Sequence, residues 1–328
     1  MKCLNLHAIG DLRYESIETP VCEDDEVLVK IRYCGICGSD VPRVFVKGTH
    51  RFPLVIGHEF SGVVAEDRRG EWTGRNVAVY PLLPCFSCPS CRQQRYEACE
   101  HYDYYGSRRN GGMAEYIAVK RWNVIPLPEK VPLKLGALCE PVSVAHHAAG
   151  NLGDVTGKNV LISGAGPIGL IVGQWCMAKG AAGVYYFDID PRKIEFAESM
   201  GFHAYDAQTI HACVEGTGVS AALARCLQAV APGATLVLMG NPAGVMTLSQ
   251  EEYWHILRKE LIVRGTWNSS YSETKNDWRD SLQAISDGTL QLEKIITHVF
   301  APEEYRQAFE TARDKAVFSN KILIEWNK

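Results

Sequence analysis

The sequence predicts an α/β protein in two parts: a β-rich module at the start of the chain and a doubly wound parallel sheet after it. Three observations carry this. Short alternating segments, with no convincing helical period, fill the chain up to about residue 135. From residue 154 onward, apolar strands and helical stretches take turns, the pattern of a parallel sheet. The first strand-to-helix junction of that second part is a glycine-rich turn, Gly164-Ala165-Gly166-Pro167-Ile168-Gly169. At 328 residues the chain is long enough for two domains, each with its own core.

In the first part, Lys2–His7, Glu26–Tyr33 and Asn76–Tyr80 read as strands, with Val27, Val29 and Ile31 on one face. Between them runs Cys34 to Glu66, where Gly35-Ile36-Cys37-Gly38-Ser39-Asp40 is followed by Gly57-His58-Glu59. A thiolate, an imidazole and a neighbouring carboxylate form a ligand set for a borderline-soft divalent metal, zinc foremost. A catalytic zinc keeps one position open, which suits three protein ligands. Ser39 is placed to pass a proton from a zinc-bound alcohol, and Asp40 to orient the imidazole. The same residues also suit a plain strand–turn–strand with a buried cysteine and a surface turn.

Cys85, Cys88, Cys91 and Cys99 follow, spaced C-x2-C-x2-C-x7-C. Four thiolates close a tetrahedral site, so this reads as a structural zinc clamping a lobe with little core of its own. Arg108 and Arg109 then precede Gly111-Gly112; such a pair either grips a phosphate bidentately or is simply a solvated loop. A helical pattern opens around Leu135 and carries Glu140 in an apolar run. A buried carboxylate needs a partner, which makes Glu140 the candidate for the remaining metal ligand, with Cys139 competing. His146 and His147 read as packed or surface residues.

In the second part, Lys158–Ser163 is a strand, the glycine turn follows, and a helix runs over Leu170–Lys179. This is G-x-G-x-x-G in the context it requires. Gly164 and Gly166 allow the turn and the close approach of a pyrophosphate, Gly169 allows helix–strand packing, and Pro167 and Ile168 open the helix whose N-terminus faces the anion. The next strand, Gly183–Phe187, ends at Asp188, a carboxylate placed for an adenosine ribose diol, which favours NAD. Asp190, Arg192 and Lys193 lie close behind; with the basic pair turned inward, NADP would also fit. Helices are expected over 194–202, 218–231 and 249–259, and strands over Thr235–Met239 and Leu261–Gly265. A helix over Asp277–Gly288 and a final αβ segment, Glu303–Trp326, complete the chain.

Composition excludes several function classes. The net charge is 34 − 38 = −4, with no basic block, which argues against nucleic acid. The most apolar stretch, Val160 to Val172, is too short and too punctuated to span a bilayer. Twelve cysteines in an unsignalled chain of this size read as reduced thiols and metal ligands, so a cytoplasmic setting is expected.

CGICGSD, GHEFSG, the four-cysteine lobe, GGMAEY, the Glu140-Pro141 step and GAGPIG, in that order, resemble the zinc-dependent medium-chain dehydrogenase/reductase family of alcohol and polyol dehydrogenases. The resemblance implies a catalytic domain over 1–150 with a C-terminal return over 272–328, folded like a chaperonin-10-type β-barrel. The remaining 151–271 would be the NAD-binding Rossmann domain. It implies two zincs per chain: a catalytic one held by Cys37, His58 and Glu140 with Glu59 beside it, and a structural one held by Cys85, Cys88, Cys91 and Cys99. Ser39 matches the relay hydroxyl, but Val41, Pro42 and Arg43 stand where the relay's histidine often follows.

Glutamate at 140 resembles the polyol branch. GSDVPRVF, PLLPCFSCPSC and YDYYGSRRNGGMAEYIAVKRWNV resemble its members that act on sugar-alcohol phosphates, for which Arg43, Lys47, His50, Arg108 and Arg109 would be phosphate partners. The implied activity is NAD-linked oxidation of a polyol or polyol phosphate by a homodimer or homotetramer. Sorbitol or iditol, a pentitol phosphate and L-threonine are the competing substrates. A zinc-free NADPH reductase and a non-enzymatic NAD-binding protein are the competing functions.

Overall fold

The alternation of Val27, Val29 and Ile31 becomes the strand Glu26–Ile36, with all three side chains fully buried. The computed structural model describes residues 1–326, and this strand is the spine of the first of two units, Met1–Glu140 together with the chain from Ser270 onward. It pairs antiparallel with Glu59–Glu66, with Tyr116–Lys120 and, through its last residues, with Lys321–Glu325. Asn76–Val79 and Val124–Pro126 extend the sheet on one side and Ile296–Phe300 on the other. Lys2–Ala8, Asp11–Ser16 and Leu54–Val55 form a second small sheet. Both share one core that includes Leu4, Val29, Phe60, Phe309 and Trp326.

The second unit, Pro141–Ser269, is a six-stranded parallel sheet. Its strand order is His203–Ala204, Gly183–Phe187, Asn159–Ser163, Ile210–Glu215, Val230–Leu238, Ile262–Gly265. The order reverses between the third and fourth of these, the switch point beyond which doubly wound sheets bind ligands. Pro167–Ala178, Pro191–Ser199, Ser220–Ala229 and Gln250–Arg258 are its crossover helices.

Several local expectations need correction. The central strand Ile210–Glu215 (IHACVE) was not foreseen, because a histidine and a terminal glutamate blur its apolar period; the sheet nevertheless buries five of its six residues. The helix expected over 218–231 is Ser220–Ala229, and the following strand starts at Val230, because Pro232 and Gly233 cannot continue a helix. Short helical pieces stand at Asp40–Pro42, Arg43–Lys47 and Pro89–Arg92, each too brief to show a period. The two compact units meet within the helix Cys139–Asn151, between Glu140 and Pro141. No helix among the described residues is long and apolar enough to cross a membrane.

The Pro167–Ala178 helix lies so close to Gly183–Phe187 that a Cβ at Gly173 would stand 1.9 Å from the Tyr186 hydroxyl, which donates to the Gly169 carbonyl at 3.0 Å. Overpacking there costs about 1–3 kcal/mol, against about 1 kcal/mol gained in helix propensity. Gly173→Ala is therefore expected to lower the denaturant midpoint at unchanged m. A midpoint at or above wild type would contradict this packing.

Candidate active site and metal centres

Three strands of the first unit terminate together. Ile36 closes Glu26–Ile36, Glu59 opens Glu59–Glu66 opposite Gly35, and Lys321 opens Lys321–Glu325, whose next residue pairs with Ile36. This geometry delivers Cys37, His58 and Glu59 to one place, with ligand atoms within 4.8 Å of one another. Gly35 makes the room: a Cβ there would lie 2.1 Å from Glu59 Oε2.

Glu59 is fully buried, and the Lys321 ammonium donates to its two oxygens at 2.9 and 2.6 Å. Burial alone would lower the Lys321 pKa; the charges of Glu59 and Cys37 instead hold it above its ordinary value. Asp40, also fully buried, accepts from the Cys37 backbone N–H at 3.0 Å and from the Arg43 guanidinium. Its Oδ1 stands 3.6 Å from His58 Nδ1, facing the imidazole without a hydrogen bond.

Glu140 sits in the first turn of the Cys139–Asn151 helix, buried, and accepts from the Tyr104 hydroxyl at 3.2 Å. It lies outside the 4.8 Å group but close enough to feel the charges of His58, Glu59 and Cys37. Burial pushes its carboxyl up to about 8, and burial followed by Glu59 and Asp40 pushes the Cys37 thiol up to about 11. Both groups are held neutral by desolvation and crowded negative charge. A divalent cation relieves that crowding, so the donor set fits zinc. Cys139 is buried but belongs to neither metal-binding group. Ser39 flanks Cys37, and its hydroxyl lowers the thiol's pKa, opposing the other contributions.

Cys85, Cys88, Cys91 and Cys99 also bring their sulfurs within 4.8 Å of one another, all unpaired. The Cys85–Cys91 and Cys88–Cys99 sulfurs are 3.9 and 4.0 Å apart. Four sulfurs at about 2.3 Å from a shared zinc would stand about 3.8 Å apart, so this site also fits the metal. Backbone N–H groups of Cys88 and Cys85 point at the Cys85 and Cys99 sulfurs at 3.3 Å, as donors to thiolates would. The lobe is anchored by Phe86 and Tyr96, whose rings meet Trp122 edge-on at 5.0 and 5.5 Å.

In the second unit, Gly164 turns at φ +98, and a Cβ at Gly169 would meet the Gly164 carbonyl at 2.1 Å. The space where a Gly166 side chain would stand is open. The helix beginning at Pro167, with Ile168 behind it, has no side-chain cap, which leaves its N–H groups for an anion. Asp188 accepts from the backbone N–H of Ala165 at 2.9 Å and of Asp190 at 3.0 Å, tying the turn to the next strand. Arg192 is drawn back onto Asp190 by two bonds of 2.9 and 2.8 Å, while Lys193 is partly exposed on the same helix.

The proposed phosphate partners do not form one cluster. Arg43 is engaged by Asp40, Arg109 by Asp103 at 2.6 Å, and Arg108 lies over the Tyr102 ring at 4.4 Å. Arg108 and Arg109 line a groove of about 380 Å³ together with Arg51. Lys47 and His50 are exposed. His146 packs against Trp175 at 4.5 Å and His147 is buried, and neither joins a metal-binding group. Two residues of the site escaped the sequence reading. Lys321 left a signal, a lone lysine opening the apolar strand KILIE; Tyr104, one of three tyrosines in YDYY, left none.

Residues 23–129 match the alcohol dehydrogenase GroES-like domain, and residues 167–287 the zinc-binding dehydrogenase domain. The chain is 37% identical to galactitol 1-phosphate 5-dehydrogenase of Escherichia coli strain K12, over 94% of this chain and 95% of that one. It is 28% identical to an L-threonine 3-dehydrogenase of Aeromonas hydrophila over the full length of both. The crystal structure of the Escherichia coli galactitol-1-phosphate dehydrogenase superposes with a TM-score of 0.93 at 36% identity, covering 99% of this chain and 100% of that one.

Lys321→Met strands a buried carboxylate, and the expected loss is about 3–5 kcal/mol in chemical denaturation. The double substitution Lys321→Met/Glu59→Gln should recover most of it; a double variant no better than the single one would show that the pair is not what Lys321 supplies. Cys91→Ser should remove one bound zinc and lower the melting temperature, whereas an unchanged zinc count would refute the four-thiolate site.

Proposed function

The chain belongs to the zinc-binding alcohol dehydrogenase family, and from that premise we propose that it oxidises a secondary alcohol of a sugar alcohol or sugar-alcohol phosphate to the ketose with NAD, foremost galactitol 1-phosphate to tagatose 6-phosphate. The observation that carries this reading is the gathering of Cys37, His58 and Glu59 at the strand ends with buried Glu140 beside them. Cys37, His58 and Glu140 would hold the catalytic zinc with Glu59 adjacent, and Cys85, Cys88, Cys91 and Cys99 the structural one. When bound, the catalytic zinc supplies Lewis acidity that lowers the pKa of an alcohol, and NAD accepts the hydride.

The protein's own groups do the rest. Asp40 stands 3.6 Å behind the His58 ring, while Lys321 neutralises Glu59 so that the site does not carry its full negative charge. Ser39 would take the proton and, with Val41, Pro42 and Arg43 following it, pass it on to solvent. Asp188 would accept from the ribose diol of NAD. The retention of Arg192 by Asp190 supports NAD over NADP, because that guanidinium is not turned towards a 2′-phosphate. Twelve cysteines in a chain of this length support a reducing, cytoplasmic setting.

Assembly as a homodimer or homotetramer has support in the second unit. Ile262–Gly265 is an edge strand with all four residues exposed, and the neighbouring helix Gln250–Arg258 buries none of its residues while exposing Tyr253, Trp254 and Leu257. An open apolar edge of this kind invites pairing with a copy. Light scattering should return a multiple of the 36.4 kDa chain, reduced towards one chain by Val263→Lys.

Metal-replete protein with NAD and a panel of galactitol 1-phosphate, free galactitol, sorbitol, a pentitol phosphate and L-threonine should reduce NAD fastest with galactitol 1-phosphate. Preference for a free polyol or for threonine would keep the dehydrogenase and discard that substrate. Cys37→Ser and Glu140→Ala should each abolish turnover with NAD affinity intact, and turnover near wild type in either would refute the ligand assignment.

A further inference from the structure

We infer that the Tyr104 hydroxyl is the positioning group that holds Glu140 for the catalytic metal, an inference that rests on the metal-site reading above. The two buried carboxylates near Cys37 and His58 are served differently. Glu59 has a full countercharge in Lys321. Glu140, among the described residues, has one hydrogen bond, donated by Tyr104 to Oε1 at 3.2 Å, and none reaches its other oxygen. A carboxylate pinned through one oxygen and free at the other is arranged to present that second oxygen to a ligand. Hydrogen-bond donors behind ligating groups fix orientation in this way.

Tyr104 is itself tightly placed. Its carbonyl accepts from the backbone N–H groups of Ser107, Arg108 and Arg109 at 3.4, 3.0 and 3.2 Å. Its ring is flanked edge-on by His58 at 5.8 Å and by Tyr102 at 6.1 Å, and Arg108 lies over the Tyr102 ring at 4.4 Å. The short strand Asp103–Tyr104 pairs with Leu82–Leu83, and the four-cysteine lobe closes the loop between them. The structural clamp therefore bounds the hairpin that presents Tyr104, so the phenol reaches Glu140 from a fixed base.

The test is Tyr104→Phe in the full-length protein, which removes one oxygen at nearly constant volume. Zinc affinity at the exchangeable site is read by chelator competition, and its geometry by the visible spectrum of the cobalt-substituted protein. Expected are a 10- to 100-fold weaker metal affinity, a shifted cobalt spectrum, an unchanged KM for NAD and an unchanged melting temperature. Glu140→Ala is measured alongside. If Glu140→Ala weakens metal binding while Tyr104→Phe matches wild type in affinity and spectrum, the positioning role is overturned. If Glu140→Ala leaves metal binding unchanged, the assignment of Glu140 as a ligand fails, and the inference fails with it.

Discussion

The buried ion pair between Lys321 and Glu59 is the constraint on which the first unit depends. It joins residues 262 positions apart, locking the last strand of the chain to the strand that begins beside His58. Breaking it would leave a full charge in a site sealed from water, a penalty of several kcal/mol. The register of the strands agrees with it: with Lys321 on Glu59, Ile322 lies opposite Ile36, and Glu59 lies opposite Gly35, two residues before Cys37. The pair is thus both a fold-closing contact and the base of the candidate active site.

Charge counting explains why the site suits a dication. Cys37, Asp40, Glu59 and Glu140 contribute four negative charges when ionised, and Lys321 and Arg43 two positive ones, leaving 2 − 4 = −2. Without a cation, desolvation wins and Cys37 and Glu140 keep their protons. With one, both would ionise and be available as ligands. Asp40 and Glu59 already have cationic partners, which leaves Cys37 and Glu140, with His58, as the uncompensated donors. Glu59 lies within ligand distance of the others, but its lysine competes with any metal for its oxygens.

The second unit works by backbone instead of side chains. The glycine turn, the uncapped helix and Asp188's two bonds to backbone N–H groups leave backbone N–H groups open at the helix start, the geometry that suits an anion. Few charged side chains are needed, and of the basic pair on the next helix Arg192 is held by Asp190. The cofactor reading therefore rests on main-chain shape, and the metal reading on side-chain chemistry.

The sequence determined by itself whatever is local. Spacing marked the four-cysteine lobe, whose ligands close within fifteen residues, and strand–turn–helix grammar marked the glycine loop; neither needs a distant partner. Cys37 and Gly57-His58-Glu59 were legible because two short motifs lie on adjacent strands. What only the tertiary structure decided is non-local: that Lys321 answers Glu59 across most of the chain, that Tyr104 rather than another tyrosine of YDYY meets Glu140, and that Ile210–Glu215 is a central strand. It also engaged Arg43 and Arg109 with Asp40 and Asp103, charges that a sequence reading leaves free for a phosphate. The physical reason is common to all of these. A buried charge or hydroxyl takes whichever partner the fold brings within about 3 Å, and sequence separation carries no information about that distance.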